Sequence, residues 1–288
     1  MRPYECVIVR VGEIALKSRH VKKKFFKILT YNIRTALKGV EYRIEKSPGR
    51  IFVYSHEVKR VIPRLKRVFG ITSVSPCWVC YSGLNDIKIL VSDVAVTHLS
   101  KNKTFAIRVK RVGVHSFSSQ TIAEEAGAAV KRVTGAEVDL SNPDKTINIE
   151  VRSKRAYVFV EKIKCLGGMP VGTAGAVVCP IEDERSVVAA WLMLKRGCNV
   201  AVVSEKGNKL AGKLKKYHAG MKRYIIKPGT DVMELCNNLC ENGKVFGIVL
   251  SENFETAKVS ELETGENPIY RPLFFLSSKE INEIFRKI

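Results

Sequence analysis

The sequence predicts a multidomain chain that joins α+β and α/β segments within 288 residues. Two observations point to it. Residues 4–161 alternate strand-like and helix-like stretches in two successive sets, and from residue 176 short apolar runs are separated by helical segments, the pattern of an open, mostly parallel sheet. The length suffices for two or three domains and a substantial core.

Taken in order, residues 4–11 read as a strand, and 21–38 as an amphipathic helix with Phe25, Ile28 or Leu29, Ile33 and Leu37 on its apolar face. Lys22, Lys23 and Lys27 fall on the wet face, Gly39 suits the C-cap, and Gly12 suits a tight turn. Residues 42–45 and 51–54 read as strands joined around Ser47-Pro48-Gly49-Arg50, a turn by composition. A basic helix then runs up to Phe69, although Pro63 makes its first turns unsure, because proline costs about 3 kcal/mol inside a helix. With a strand over 71–75 the order is βαββαβ, a ferredoxin-like topology that by itself names no function.

The middle of the chain reads as a helix over 84–99, a strand over 104–110, a helix over 120–133, and a hairpin of 145–151 with 156–161 around Arg152-Ser153-Lys154-Arg155. Alternation in the 104–111 strand turns Arg108 and Lys110 outward, next to Arg111. Cations on such a sheet edge suit either a solvated face or a path for an RNA backbone.

Beyond a Gly-rich junction at 166–175, residues 176–179 form an apolar run, and Ser186 is placed to cap a helix carrying Val187, Ala190, Trp191 and Leu194 at helical spacing. Gly197 ends that helix and 199–203 reads as the next buried strand. The pattern continues with a Lys-rich helix near 210–217, strands at 224–226 and 246–250, and a helix near 232–239. Ligands of such sheets sit beyond the strand C-termini, where this chain reads Ile181-Glu182-Asp183-Glu184-Arg185-Ser186. Phosphate cradles use small residues and open backbone N–H groups, so three carboxylates there are the wrong chemistry. Acids at a helix N-terminus also have a plain role against its dipole, worth about 0.3–1 kcal/mol.

The segments 167–175 and 186–197 resemble the junction and first βαβ unit of the tRNA 4-thiouridine synthetases, or tRNA sulfurtransferases. The resemblance continues at both ends: Val11 to Lys17, Ser18-Arg19-His20 and Lys22-Lys23-Lys24 at the start, then Pro268 to Leu273 and Ser278 to Ile288. Residues 104–165 resemble a THUMP domain, most specifically at Ile122-Ala123-Glu124-Glu125-Ala126-Gly127-Ala128-Ala129-Val130. The resemblance implies a ferredoxin-like domain over 1–75, a THUMP domain over 76–165, and a PP-loop or Rossmann-like domain over 176–288. It implies tRNA as partner, through the acceptor stem and 3′ end.

In that family a Ser-Gly-Gly-x-Asp-Ser loop binds the phosphates of ATP and helps adenylate a tRNA uridine. On this chain the pattern falls on Ile181 to Ser186, with Glu182 and Asp183 at the glycines and Arg185 at the aspartate; only Ser186 remains. The family's Thr-Gly-rich stretch, which falls on Gly247 to Ser260, is also missing, as is the Cys-x-x-Cys pair that some members carry before the 232–239 helix, and the rhodanese-like domain of some members is not expected here. The expectation is a tRNA-binding protein with no catalytic residue, no metal and no cofactor. The alternatives are an active sulfurtransferase taking ATP with magnesium at an atypical site, and an RNA-binding subunit of a separate modification enzyme.

Charge agrees with a polyanion partner. The net charge is +21, and residues 1–170 hold 32 Lys and Arg against 14 Asp and Glu, while 171–288 hold 17 against 14. The candidate phosphate ligands are Lys17, Arg19, Lys22, Lys23, Arg50, Arg108, Lys110, Arg111, Arg152, Lys154 and Arg155. No run approaches 18 apolar residues and no signal-peptide pattern opens the chain, so a cytoplasmic protein without membrane association is expected; self-association stays open. Cys77-Trp78-Val79-Cys80 is a lone CxxC, read as structural ahead of redox or metal-binding, and Cys236 and Cys240 share one helix face. The five histidines show no metal-site spacing.

Overall fold

The structure is a computed structural model, and it describes residues 2–16, 18–257 and 267–288. Chain contacts divide it into two compact units. The first comprises residues 1–10, 39–63 and 73–164, and the second comprises 11–38, 64–72 and 165–288. The helix that follows the first strand therefore belongs to the second unit.

The elements follow the expected order. They are β1 (Cys6–Val11), α1 (Arg19–Ala36), β2 (Arg43–Ser47), β3 (Arg50–Tyr54), α2 (Val58–Leu65), β4 (Ile71–Tyr81), α3 (Leu84–His98), β5 (Thr104–Val112), α4 (Ser119–Thr134), β6 (Glu137–Val138), β7 (Lys145–Arg152), β8 (Arg155–Phe159) and β9 (Ile163–Lys164). Pro63 lies inside α2, which ends two residues later. The strand expected over 71–75 runs on to Tyr81, through the CxxC segment.

That extension makes β4 the central strand of a nine-stranded sheet ordered β2-β3-β1-β4-β8-β7-β5-β6, with β9 also on β4. Adjacent strands of a flat sheet lie about 4.8 Å apart, so β3 and β8, three places apart, would stand about 14 Å from each other. Instead, the Phe52 ring stacks on Tyr157 at 4.3 Å, and the Tyr54 and Tyr157 hydroxyls are 2.7 Å apart. The sheet therefore folds over itself along β4. Cys6, Ile8, Phe52, Cys77, Tyr157 and Phe159 fill the seam. On the sheet's other surface α3 and α4 cover Trp78, Phe105, Ile147, Ile149 and Val158.

The second unit holds β10 (Ala176–Pro180), α5 (Glu184–Lys195), β11 (Asn199–Glu205), α6 (Lys209–Leu214), β12 (Arg223–Ile226), α7 (Val232–Glu241), β13 (Ile248–Val249), β14 (Ile269–Tyr270) and α8 (Ser278–Phe285). The strands are all parallel in the order β12-β11-β10-β13-β14. Alternation along β10 sends Val177 and Cys179 to the face covered by α5, α6 and α8, and Val178 to the face covered by α7. Gly197 ends α5 at φ +94, where a side chain would also strike Thr173 Oγ1. Gly12 owes its place to a close approach, because a Cβ there would lie 2.5 Å from Thr72 Cγ2.

Candidate functional site

The order of the parallel sheet reverses between β10 and β13, so its crevice lies between the loops that leave those two strands. The first loop is 181–186. Its expected cap shifts by one turn: Asp183, not Ser186, is the N-cap of α5, and the two form a reciprocal capping box. Ser186 N donates to Asp183 Oδ1 at 2.8 Å, while Glu182 N and Asp183 N both donate to Ser186 Oγ at 3.1 Å. Three backbone N–H groups that an anion cradle needs are thus satisfied within the loop. Ile181 is buried, and Glu182, Asp183 and Glu184 are exposed.

Arg185 points across the crevice to the second loop. Its Nη2 donates to Asn253 Oδ1 at 2.7 Å and Thr256 Oγ1 at 3.1 Å, and its Nε to the Ser251 carbonyl at 3.4 Å. Asn253 is fully buried, and its Nδ2 also donates to the Leu276 carbonyl at 2.9 Å. Sequence reasoning passed over Asn253, because one Asn in Ser251-Glu252-Asn253-Phe254 carries no pattern that marks a hub. A cavity of 540 Å³ lies beside this crevice, lined by Ile181, Glu182, Val203, Ser204, Asn208 and Ile226 among others.

The candidate phosphate ligands divide by environment. Arg19 and Lys23 are exposed on α1 and Lys22 is half-buried, while Lys17 lies outside the described residues. Arg108, Lys110 and Lys154 are exposed in the first unit, with Arg108 also donating to the Leu140 carbonyl. Arg111 binds Ser119 Oγ at 3.1 Å and the Phe117 carbonyl, so it fastens the loop before α4.

Arg50, Arg152 and Arg155 serve the seam. Arg152, 6% exposed, pairs with Glu150 at 2.6 Å and donates to Ser47 Oγ and the Pro48 carbonyl. Arg50 pairs with the same carboxylate at 3.3 Å. Arg155 bonds Glu45 at 3.1 Å and the Tyr54 hydroxyl at 2.7 Å, which holds its guanidinium firmly charged, while burial raises the Tyr54 phenol. The charge of Arg152 is thereby used inside the fold, away from solvent.

Cys77, Cys80, Cys236 and Cys240 carry free thiols. Cys77 lies in the seam and Cys80 against the α3 and α4 core, so three residues apart on a strand they face opposite sides. Burial pushes Cys80 and Cys236 up to about 12 and raises Cys240, which disfavours the thiolate that sulfur transfer would use. Among the described residues no group of three or more His, Cys, Asp or Glu could hold a metal, and no helix is long and apolar enough to cross a membrane.

Comparison with known proteins gives matches across the chain. The ThiI ferredoxin-like domain matches residues 6–75 and the THUMP domain residues 81–161. A probable tRNA sulfurtransferase of Thermococcus kodakarensis is 32% identical, over 99% of this chain and 88% of that protein. Those of Methanothermobacter thermautotrophicus and Methanobrevibacter smithii are 36% and 35% identical over 76% and 78% of this chain, which reaches only 60% and 64% of their length. A crystal structure from Pyrococcus horikoshii superposes at TM-score 0.86 with 30% identity over 98% of this chain and 99% of that one. The crystal structure of a 4-thiouridine synthetase–RNA complex with bound ATP superposes at TM-score 0.82, with 22% identity over 99% and 84% of the two chains. At that identity the likeness is one of fold.

Proposed function

The chain belongs to the tRNA sulfurtransferase family, and from that premise we propose that it binds tRNA, at the acceptor stem and 3′ end, without adenylating it. The THUMP segment and the +21 net charge support the partner. Arg19 and Lys23 in one unit and Arg108, Lys110 and Lys154 in the other are exposed cations that can meet a phosphate backbone, which gives affinity without reading sequence.

The observation that carries the second half is the closed loop 181–186. Its N–H groups at Glu182, Asp183 and Ser186 are bonded within the loop, exposed carboxylates surround them, and the guanidinium of Arg185 spans the crevice. A triphosphate would have to displace those bonds and enter a field of like charge. The residues present do not fit ATP.

Titration calorimetry of the whole chain with ATP, with and without magnesium, tests this beside a tRNA binding assay. Saturable tRNA binding with no heat from ATP is expected. Saturable ATP binding together with tRNA-dependent AMP release would restore the enzyme reading.

A further inference from the structure

The near balance of charge in the C-terminal part of the chain hides a local excess. Residues 206–230 contain eight basic side chains and no Asp or Glu. Arg223 is tied to Ser204 Oγ and the Glu205 and Asn208 carbonyls. The seven lysines are all exposed, and none forms an ion pair with a described residue. Elsewhere the chain neutralises such lysines: Lys88, Lys103 and Lys131 pair with Glu125, Asp144 and Glu137 at 3.0, 3.2 and 2.7 Å.

Local packing holds part of this charge in place. The Lys213 ammonium lies 4.6 Å from the centre of the Phe285 ring, and that of Lys216 5.3 Å from the Tyr217 ring. Partial burial, followed by the like charges of Arg67 and Lys213, holds Lys216 below its ordinary lysine value. Like charges gathered this way repel unless counterions or a polyanion offset them. The apolar residues of α6 are turned inward, with Ala211 and Leu214 buried, so the segment offers no greasy face to a lipid surface.

We infer that the Lys209–Lys216 segment, with Arg67 and Lys222, is a phosphate-contact surface for RNA on the second unit. It rests on the tRNA-binding reading and adds to it a surface in the part of the chain where basic and acidic residues nearly balance. Spaced lysine point charges, with Arg67 the single guanidinium named among them, suit backbone contact, so the surface contributes affinity and salt dependence and leaves sequence preference unchanged.

The test is tRNA binding by the full chain, titrated across salt concentrations, for the wild type and for Lys213→Gln/Lys215→Gln/Lys216→Gln/Lys222→Gln. Each lost phosphate contact lowers the log–log salt slope by about 0.9, so a fall of about 3.6 is expected for the four lysines, with affinity at low salt down at least tenfold. The matching Lys→Arg variant should keep the slope. An unchanged slope in the glutamine variant, with the wild type binding tRNA, overturns this surface and leaves the tRNA reading intact. Failure of the wild type to bind tRNA removes that reading and the surface with it. Loss of binding to phosphatidylserine vesicles with tRNA binding unaltered would also overturn it, in favour of a membrane surface.

Discussion

At the scale of single residues, Asp183 and Arg185 fix the loops on either side of the crevice, one by capping α5 and the other by bonding Asn253. Asp183→Ala removes the N-cap of α5 and its half of the capping box, so urea unfolding should show a loss of about 1 kcal/mol, whereas Glu182→Ala should change stability little. Equal costs for the two would mean that the loop is not held as described. The sequence predicts a loop without phosphate chemistry, since glycines and acids differ in kind. Its closure through Ser186 is local, whereas the reach of Arg185 to Asn253 spans 68 positions, which no local pattern encodes. His218 supplies a pH test. Its Nδ1 is buried without a hydrogen-bond partner among the described residues, and burial lowers its pKa. The folded state then binds fewer protons than the unfolded state as pH falls through the ordinary histidine value near 6.5, so this group contributes stability that is lost on acidification. Melting curves between pH 8 and 5 should show that loss, and His218→Gln should shrink it; an identical pH dependence in both proteins would refute the assignment.

At the scale of elements, β4 shows where the sequence was legible and where it was not. Alternation and turn chemistry placed β5, β7, β8, α3 and α4 within about two residues, because each buries one side of a regular element. The length of β4 escaped notice because Pro76 and the two cysteines broke the expected strand composition, and the seam it creates joins residues about a hundred positions apart, such as Arg50 with Glu150 and Tyr54 with Tyr157. The same long-range pairing gives Arg50 and Arg152, RNA ligands by composition, a carboxylate partner inside the fold. Arg152→Ala leaves the carboxylate of Glu150, 3% exposed, with less than its full complement of cations, and should cost about 3–5 kcal/mol in chemical denaturation. Measured on the variant under conditions where it stays folded, the salt slope of tRNA binding should be unchanged. A stable Arg152→Ala protein with a lowered slope would return this residue to the RNA surface.

At the scale of the whole molecule, charge and chain division together determine how the proposed RNA binding has to be measured. The +18 of residues 1–170 suggests that a fragment ending at 165 would carry the footprint by itself. Yet α1, with Arg19, Lys22 and Lys23, packs in the second unit: Asn32 Nδ2 donates to the Val171 carbonyl at 3.0 Å, and Ile28 Cγ2 lies 3.7 Å from where a side chain on Gly172 would begin. A cut after 165 strips α1 of those partners, so loss of affinity in such a fragment would mix lost charge with lost structure. The full chain separates them. Lys22→Gln/Lys23→Gln should lower the log–log salt slope by about 2 with the melting temperature unchanged, whereas Arg50→Gln, whose partner is the buried Glu150, should lower the melting temperature and leave the slope alone. If Arg50→Gln lowers the slope as each lysine does, its pairing with Glu150 gives way to phosphate on binding, and the ferredoxin-like turn belongs to the footprint after all.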